Sequence, residues 1–572
     1  MSDAAPPPSA ANRPGEAPFR RDPLAAFLVA FVLLAALAGV RDLWDADEGR
    51  YASVAADMAR TGDYVTPREN GLRFVDKPPL VYWMADGAYV LLGRTPFAAR
   101  LPCILSGAGL ALAAFLFGFA WTGRRGVAWC GAMVVATSIA GMGFSRTVTM
   151  DMPLSATAAL AAYAGWRALD SDARRWRVLL GLFVGLGLLA KGPLGAVLPA
   201  LVALAWAVVG APWKRVLSLL FSPRSWGVAL VVAAPWYVLM ERANPGYLHH
   251  FLIYEHFGRF AEKGNREFAP VWLYVPTLAT FLLPWLPFLP GAARRLGTTE
   301  FAGRPRATDR FAWAWVVVLL VFYSAGRNRL FTYCLPVFLP LAILAAATIA
   351  GRLADGTRVR FLAFAPAALG VLALGCAVVL ALGIPFTEGW KGYKDDRHTL
   401  IGIPAAIGSL PLVLMPLWFW WARTARQRGV ALFLSAAVFF YGVDLGCARA
   451  DAVRSPRELA RLLASVSSPG DAIVCLDLFP QGLRFYEDIS IRVAGKQGEI
   501  VEPWASRDGQ GVLLTKDELS ALWASPNRRI VLVVREDKAK PYLEQGGRVL
   551  GSRLSGAQRS DLLVIENHPR GN

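Results

Sequence analysis

The chain has 572 residues, 55% of them hydrophobic, and 60 Lys and Arg against 42 Asp and Glu give it a formal charge of +18. That apolar content exceeds what one globular core can bury, which excludes both an ordinary water-soluble enzyme and a disordered chain. The basic residues fall in short clusters between apolar runs rather than in one stripe, which argues against a nucleic-acid surface.

Residues 1–23 carry Pro6, Pro7, Pro8, Pro14 and Pro18, end in a basic cluster at Arg20 and Arg21, and read as a disordered cytoplasmic tail. The stretch from Leu24 to Val40 has no charged residue. It is longer than a signal-peptide core and reads as an uncleaved first spanning helix. Further segments of the length that a hydrocarbon layer demands begin near residues 98, 127, 151, 178, 193, 225, 271, 311, 332, 361, 400 and 429, about thirteen spans in all. Threading them from a cytoplasmic N-terminus puts 22 Lys and Arg with few acids into the inner segments, as the positive-inside rule requires. The odd count places the C-terminus outside.

The expected architecture is therefore a polytopic α-helical membrane protein. Residues 24–447 form the transmembrane part with outward loops, and residues 448–572 a small soluble α/β appendage. Within the latter, Ser455-Pro456-Arg457-Glu458 and Thr515-Lys516-Asp517-Glu518 read as capping boxes. The runs 471–478, 529–535 and 561–566 read as buried strands. The six cysteines include no Cys-x-x-Cys pair, so neither a disulfide framework nor a zinc knuckle is expected.

Chemistry concentrates in the outer loops. The first opens with Asp45-Ala46-Asp47-Glu48-Gly49-Arg50-Tyr51 and continues to Asp76-Lys77-Pro78-Pro79, where the prolines fix the backbone around an acid and a lysine. Carboxylates at a membrane surface suit a helix N-terminus, but also a site. The later loops hold Ser145-Arg146 with Asp151-Met152-Pro153, then His249-His250 with Tyr254-Glu255-His256-Phe257-Gly258-Arg259-Phe260, and finally Arg327-Asn328-Arg329 with Tyr333. If these loops converge, Asp47, Glu48 and Asp151 are surrounded by Lys77, Arg259, Arg327 and Arg329. That is the mixture needed when an anionic leaving group departs from a sugar.

The ordered motifs Asp-Glu-x-Arg-Tyr, Asp-Lys-Pro-Pro, Asp before Pro, Lys191-Gly192-Pro193, Glu-His-x-x-Arg-Phe and an Arg-rich loop ending in Tyr resemble those of bacterial GT-C glycosyltransferases. Within that group, which includes protein O-mannosyltransferases, the sequence is most similar to the 4-amino-4-deoxy-L-arabinose lipid A transferases, from about residue 20 into the C-terminal region. The resemblance implies a GT-C fold, a polyprenyl-phosphate sugar donor, a lipid A or other periplasmic glycolipid acceptor, and transfer on the periplasmic side of the bacterial inner membrane. It implies Asp47 as the principal carboxylate, with Asp151 in the second acidic position. Lys77 and Arg259 become phosphate ligands, Tyr333 lies beside the site, and Arg50 and Tyr51 belong to the substrate-binding motif. No cofactor is required. Some relatives hold a divalent metal through the acid before Lys-Pro and a histidine of the later loop, which here are Asp76 and His256; the lipid A transferases commonly have Glu at the first of these.

Two rival readings stand beside this one. A transporter or lipid flippase also needs many spans, with ionisable residues near the midplane, and Lys191 and Asp444 are the candidates for that. The other rival is a GT-C enzyme that glycosylates protein or another glycan.

Overall fold

The computed structural model describes residues 21–171, 173–258, 270–290, 298–301, 304–327, 329–355, 359–382, 397–495, 511–525, 528–553 and 562–567. The N-terminal tail to residue 20, Arg259 and Arg266 lie outside them, as does the side chain of His256. The described part is a bundle of apolar helices with a mixed sheet at its C-terminal end.

Among the described residues, seven helices are long and apolar enough to cross a membrane. An eighth span is added if Arg125–Ala136 and Ile139–Ser145, bent by 53° at their junction, count as one. The longest is Pro96–Thr122: Thr95 accepts a hydrogen bond from the Ala98 N–H, Pro96 opens the first turn, and Gly123 closes the helix with φ 64°. Its 27 residues span about 40 Å at 1.5 Å per residue, enough to cross the hydrocarbon with a tilt. The segment Phe331–Ala354 is buried along its whole apolar window. A helix that is apolar all round must sit inside a bundle, and this one forms its centre, with Leu335, Phe338, Leu339 and Ile343 fully enclosed.

Two helices set up the site. Asp151–Asp170 and Arg174–Lys191 are joined by three residues, have nearly equal lengths of 20 and 18, and pack as an antiparallel pair. The first residue of one must then lie beside the last residue of the other, so Asp151 and Lys191 meet at the same end.

The expected first outer loop has a core of its own. It contains the helix Asp47–Thr61, a hairpin pairing Arg68–Glu69 with Leu72–Arg73, and the helix Leu80–Leu92. The hairpin turns on Asn70 (φ 53°) and Gly71 (φ 85°), the Asn-Gly pair that a type I′ turn favours. Leu43, Ala52, Ala55, Tyr82, Ala85 and Phe485 pack together beneath these elements.

Among the described residues of the C-terminal region six strands form one sheet in the order Leu513–Leu514, Arg492–Ala494, Ala472–Leu476, Ile530–Arg535, Leu562–Glu566, Arg548–Arg553. The first four are parallel and the last two are antiparallel to their neighbours. Ala472–Leu476 and Ile530–Val534 are buried residue by residue, as strands covered on both faces must be.

The capping box at Thr515 is formed: its hydroxyl accepts from the Glu518 N–H at 3.1 Å, and Glu518 accepts from the Thr515 N–H at 2.7 Å. The one expected at Ser455 is not. Its helix starts at Arg457 with Pro456 at the cap; Ser455 accepts from the Arg457 N–H instead and donates to the Tyr486 hydroxyl.

The C-terminal region is no mere appendage. Asp45 Oδ1 accepts from the Gly482 N–H at 2.9 Å, Ser53 Oγ donates to the Gln481 carbonyl at 2.8 Å, and Arg484 pairs with Asp57 at 2.9 Å. Asn70 both donates to and accepts from the Ile491 backbone. A Cβ on Gly49 would sit 2.9 Å from Gly482 Cα, so the two backbones touch where only glycine fits. The segment joining the strands Ala472–Leu476 and Arg492–Ala494 thus holds the helix that begins at Asp47.

Candidate active site

Asp47 is the first residue of the helix Asp47–Thr61, where the exposed backbone N–H groups favour a carboxylate. It is solvent-exposed. One turn along, Tyr51 is half-buried against Phe74 and Tyr82, with ring centroids 6.4 and 6.3 Å away. Burial, and then the charge of Asp47, push its phenol far above the ordinary tyrosine range, with further contributions from Asp151 and Asp76. Tyr51 therefore stays a neutral hydrogen-bonding group, and Asp47, Asp76 and Asp151 all lie within electrostatic reach of one place, its phenol.

Lys191 completes that place. Its ammonium lies 2.5 Å from Asp151 Oδ1 and 5.1 Å from the centre of the Tyr333 ring, and Asp47 is also within its electrostatic reach. Tyr333 stacks on Tyr323 with centroids 5.6 Å apart, just before the central buried helix. In the sequence Lys191 stands in the Lys-Gly-Pro motif and, on the transporter reading, as a midplane candidate, but not among the site residues. Its position is at a helix end among the site residues, and the Lys-Gly-Pro motif was the signal for it. The second midplane candidate, Asp444, pairs with Arg146 at 2.5 Å, and Arg146 also donates to the carbonyls of Leu34 and Ala36 at the end of the first helix.

Arg50 is buried and pairs with Glu69 at 3.4 Å, its guanidinium 5.9 Å from the Phe74 ring centre. Glu69 escaped notice in the sequence because nothing marks it until the Asn70-Gly71 turn folds it back onto Arg50. Burial lifts its carboxyl to about 7; Arg50 pulls the other way, while Asp76 and Asp45 add to the rise. Lys77, half-buried, donates to the carbonyl of Asp76 at 3.2 Å.

Glu48 requires a correction. Expected among the catalytic acids, it is 3% exposed and accepts from Arg41 at 2.7 Å, from Arg100 Nε at 2.9 Å, and from the N–H groups of Trp44 and Val148 at 3.2 and 3.3 Å. Burial opposes its ionisation, but Arg100 and Arg41 outweigh that and draw its carboxyl down to about 2. A carboxylate so engaged neither takes nor gives a proton near neutral pH, so Glu48 is a positioning residue. Arg100, which the sequence reading did not single out, also donates to the carbonyls of Ala38, Arg41 and Asp42. Together they fix the turn that delivers Asp47. An arginine inside an apolar helix was the available signal.

The remaining candidates separate. Arg329 donates to the Ser324 carbonyl at 3.0 Å, closing the end of the helix Thr308–Ala325, while Arg327 is exposed at the surface. Arg259 lies outside the described residues. Among the described residues no three His, Cys, Asp or Glu side chains converge as metal ligands. Asp76 is the described half of the expected pair.

A family model described as dolichyl-phosphate-mannose-protein mannosyltransferase matches residues 76–239. The chain is 35% identical over 369 residues to an undecaprenyl phosphate-alpha-4-amino-4-deoxy-L-arabinose arabinosyl transferase of Pectobacterium carotovorum subsp. carotovorum (strain PC1), covering 62% of this chain and 65% of that one. It is 31% identical over 427 residues to an undecaprenyl phosphate-alpha-4-amino-4-deoxy-L-arabinose arabinosyl transferase 2 of Pseudomonas fluorescens (strain Pf0-1), covering 73% of this chain and 75% of the relative. In fold it matches the crystal structure of ArnT from Cupriavidus metallidurans in the apo state, with a TM-score of 0.79 at 22% identity, covering 97% of this chain and 99% of that one.

Proposed function

Because this chain belongs to the family of undecaprenyl phosphate-aminoarabinose arabinosyl transferases, multi-pass membrane glycosyltransferases of the GT-C type, we propose that it moves 4-amino-4-deoxy-L-arabinose from undecaprenyl phosphate to lipid A. On this reading it has about thirteen spans, and both its active site and its C-terminal sheet face the periplasm of the inner membrane.

One observation carries the reading: Asp47 and Asp151 share an electrostatic neighbourhood with Lys191, Arg50, Tyr51 and Tyr333 at one end of the bundle. Breaking the bond from the anomeric carbon to the donor phosphate builds positive charge on the sugar and negative charge on the leaving phosphate. Cations held on one side and a carboxylate on the other lower that barrier, because they are already oriented when the charge appears. Lys77, Arg50 and Arg259 receive the phosphate. Lys191 holds Asp151 ionised and in place, Tyr51 and Tyr333 flank the sugar, and Asp47 faces the reacting centre. No nucleotide or organic cofactor enters the reaction.

The test is release of free undecaprenyl phosphate by the purified protein given the aminoarabinose donor and lipid A, together with mass spectrometry of lipid A from cells with and without it. Release and an aminoarabinose-dependent mass increment support the reading; a sugar found only on protein or on another glycan replaces the acceptor. Orientation is read from an impermeant maleimide on Lys540→Cys in a cysteine-free background, at an exposed position of the C-terminal region. Labelling only after the inner membrane is broken would reverse the topology.

A further inference from the structure

A crevice of about 50 Å³ runs between the helices Asp151–Asp170, Arg174–Lys191, Leu194–Val208 and Pro223–Ala243. It lies toward the end of the bundle away from Asp151 and Lys191, with Gly165, Gly181, Val184, Ala200 and Leu220 in its lining. The polar side chains that border it, Ser225 and Trp226, are already used: the Ser225 hydroxyl bonds to Ser222 Oγ at 3.1 Å, and the Trp226 indole N–H donates to the Leu220 carbonyl at 2.6 Å. By size the crevice admits water, but its side chains offer water no free partner, so a stretch of hydrocarbon fits it better.

The helix Trp213–Leu220 borders the crevice through Leu219 and Leu220. Val216 and Leu219 are buried, whereas Trp213, Lys214, Arg215 and Ser218 are exposed, the division expected of a helix lying flat at a membrane surface. Arg177 and Arg215 fasten it, donating to the carbonyls of Ser218 and Leu169 at 3.0 Å each. Gly181 packs against the Ser225 backbone and Gly185 against that of Ala229, so their two helices run side by side. Arg174 at the start of one therefore shares an end of the bundle with Arg224 at the start of the other and with Lys214. These three side chains are exposed and, among the described residues, pair with no carboxylate. Trp213 and Phe221 stand out beside them, 62% and 75% exposed, as aromatic rings do at the headgroup level.

The positive-inside rule accounts for basic residues at this end, but not for an apolar crevice beside them. We propose that this end of the bundle binds an anionic phospholipid, with part of an acyl chain in the crevice and the phosphate among Arg174, Lys214 and Arg224. A nucleic acid or an acidic protein could meet the charges but has no hydrocarbon to place in the crevice. Two of the helices that form it carry Asp151 and Lys191 at their far ends, about 30 Å away, so the bound lipid braces the pair that builds the active site. The inference does not depend on the transfer reaction. The orientation proposed above only assigns the lipid to the cytoplasmic leaflet.

Native mass spectrometry of the full chain, released from nanodiscs of equal phosphatidylglycerol and phosphatidylcholine, counts the lipid retained. The wild type is expected to keep phosphatidylglycerol over phosphatidylcholine by a factor on the order of ten. The triple variant Arg174→Gln/Lys214→Gln/Arg224→Gln, altered only at exposed positions, should lose that preference. Ala200→Phe fills the crevice and leaves the charges intact, and should retain several-fold less of either lipid; Ala196→Phe, also in the lining, repeats the test should Ala200→Phe fail gel filtration. No preference in the wild type, or an undiminished one in the triple variant, overturns the proposal. Wild-type retention by the crevice variants also overturns it, by reducing the cluster to a diffuse surface charge. Phosphatidylglycerol added back to delipidated protein should raise its melting temperature, and an equal rise with inorganic phosphate would make this an anion site instead of a lipid site.

Discussion

The ammonium of Lys191 lies 2.5 Å from Oδ1 of Asp151, joining the last residue of one helix to the first residue of its antiparallel neighbour. Both side chains are largely enclosed, at 14% and 13% exposure, so removing one partner leaves a charge poorly compensated. Lys191→Met should therefore lower both thermal stability and turnover, the latter on the order of 100-fold. The double variant Lys191→Met/Asp151→Asn, with no orphaned charge, should regain most of the melting temperature and none of the activity. Wild-type turnover in Lys191→Met would make the pair purely structural.

Asp47→Asn keeps the size of the side chain and removes its charge. Turnover is expected to fall on the order of 100-fold or more, while undecaprenyl phosphate binding is nearly intact, because the interaction is made to charge that exists only in the transition state. Isothermal titration and single-turnover release separate the two effects. A proportional loss of affinity would place Asp47 in ground-state binding instead.

Glu48 predicts an acid limb of stability. Its carboxyl is drawn down to about 2 in the folded protein from the ordinary 4.5. Folding is thus favoured by its ionised form above pH 4.5, and this contribution, about 3 kcal/mol, drains away as the pH falls toward 2. Between pH 5 and 3 the melting temperature of the wild type should fall faster than that of Glu48→Gln. Parallel profiles would show that the clasp of Arg41 and Arg100 does not carry the effect.

Glu69 acts in the opposite sense. With its carboxyl raised to about 7, the folded protein takes up a proton there near neutral pH, and the fold gains stability from this group as the pH falls from 7 toward 4.5. Protonation removes a negative charge beside Arg50, making the site more positive. Relative to Glu69→Gln, wild-type affinity for undecaprenyl phosphate should rise between pH 8 and pH 6, by a factor of about ten or less. Taking the ratio to the variant cancels the ligand's own titration, and a constant ratio would detach Glu69 from the site.

Much of this molecule is written in local sequence, because local sequence controls how much of a segment can face lipid and where a helix can begin. Apolar length marked the helices from Pro96, Thr308, Leu335, Val359 and Ala425, and Asp47 and Asp151 are each the first residue of a helix. Continuous apolar runs marked three of the six strands. The strands Arg492–Ala494, Leu513–Leu514 and Arg548–Arg553 are short or polar on one side, and gain their identity only from neighbours in the sheet.

What tertiary structure alone decided is which charges belong to each other. The sequence offered Glu48 beside Asp47 among the catalytic acids, but Arg100 and Arg41 arrive from other segments and take up the Glu48 carboxylate, leaving Asp47 exposed. It offered Lys191 in a Lys-Gly-Pro motif with no partner assigned, until two helices of matched length brought it to Asp151. It gave no sign that Gly49 and Gly482, more than 400 residues apart, would meet backbone to backbone and hold the helix Asp47–Thr61 against the C-terminal region. The hydrophobic pattern is a property of each segment, whereas a charge acquires its role from the distance and dielectric between it and its partners, and these exist only once the chain is folded.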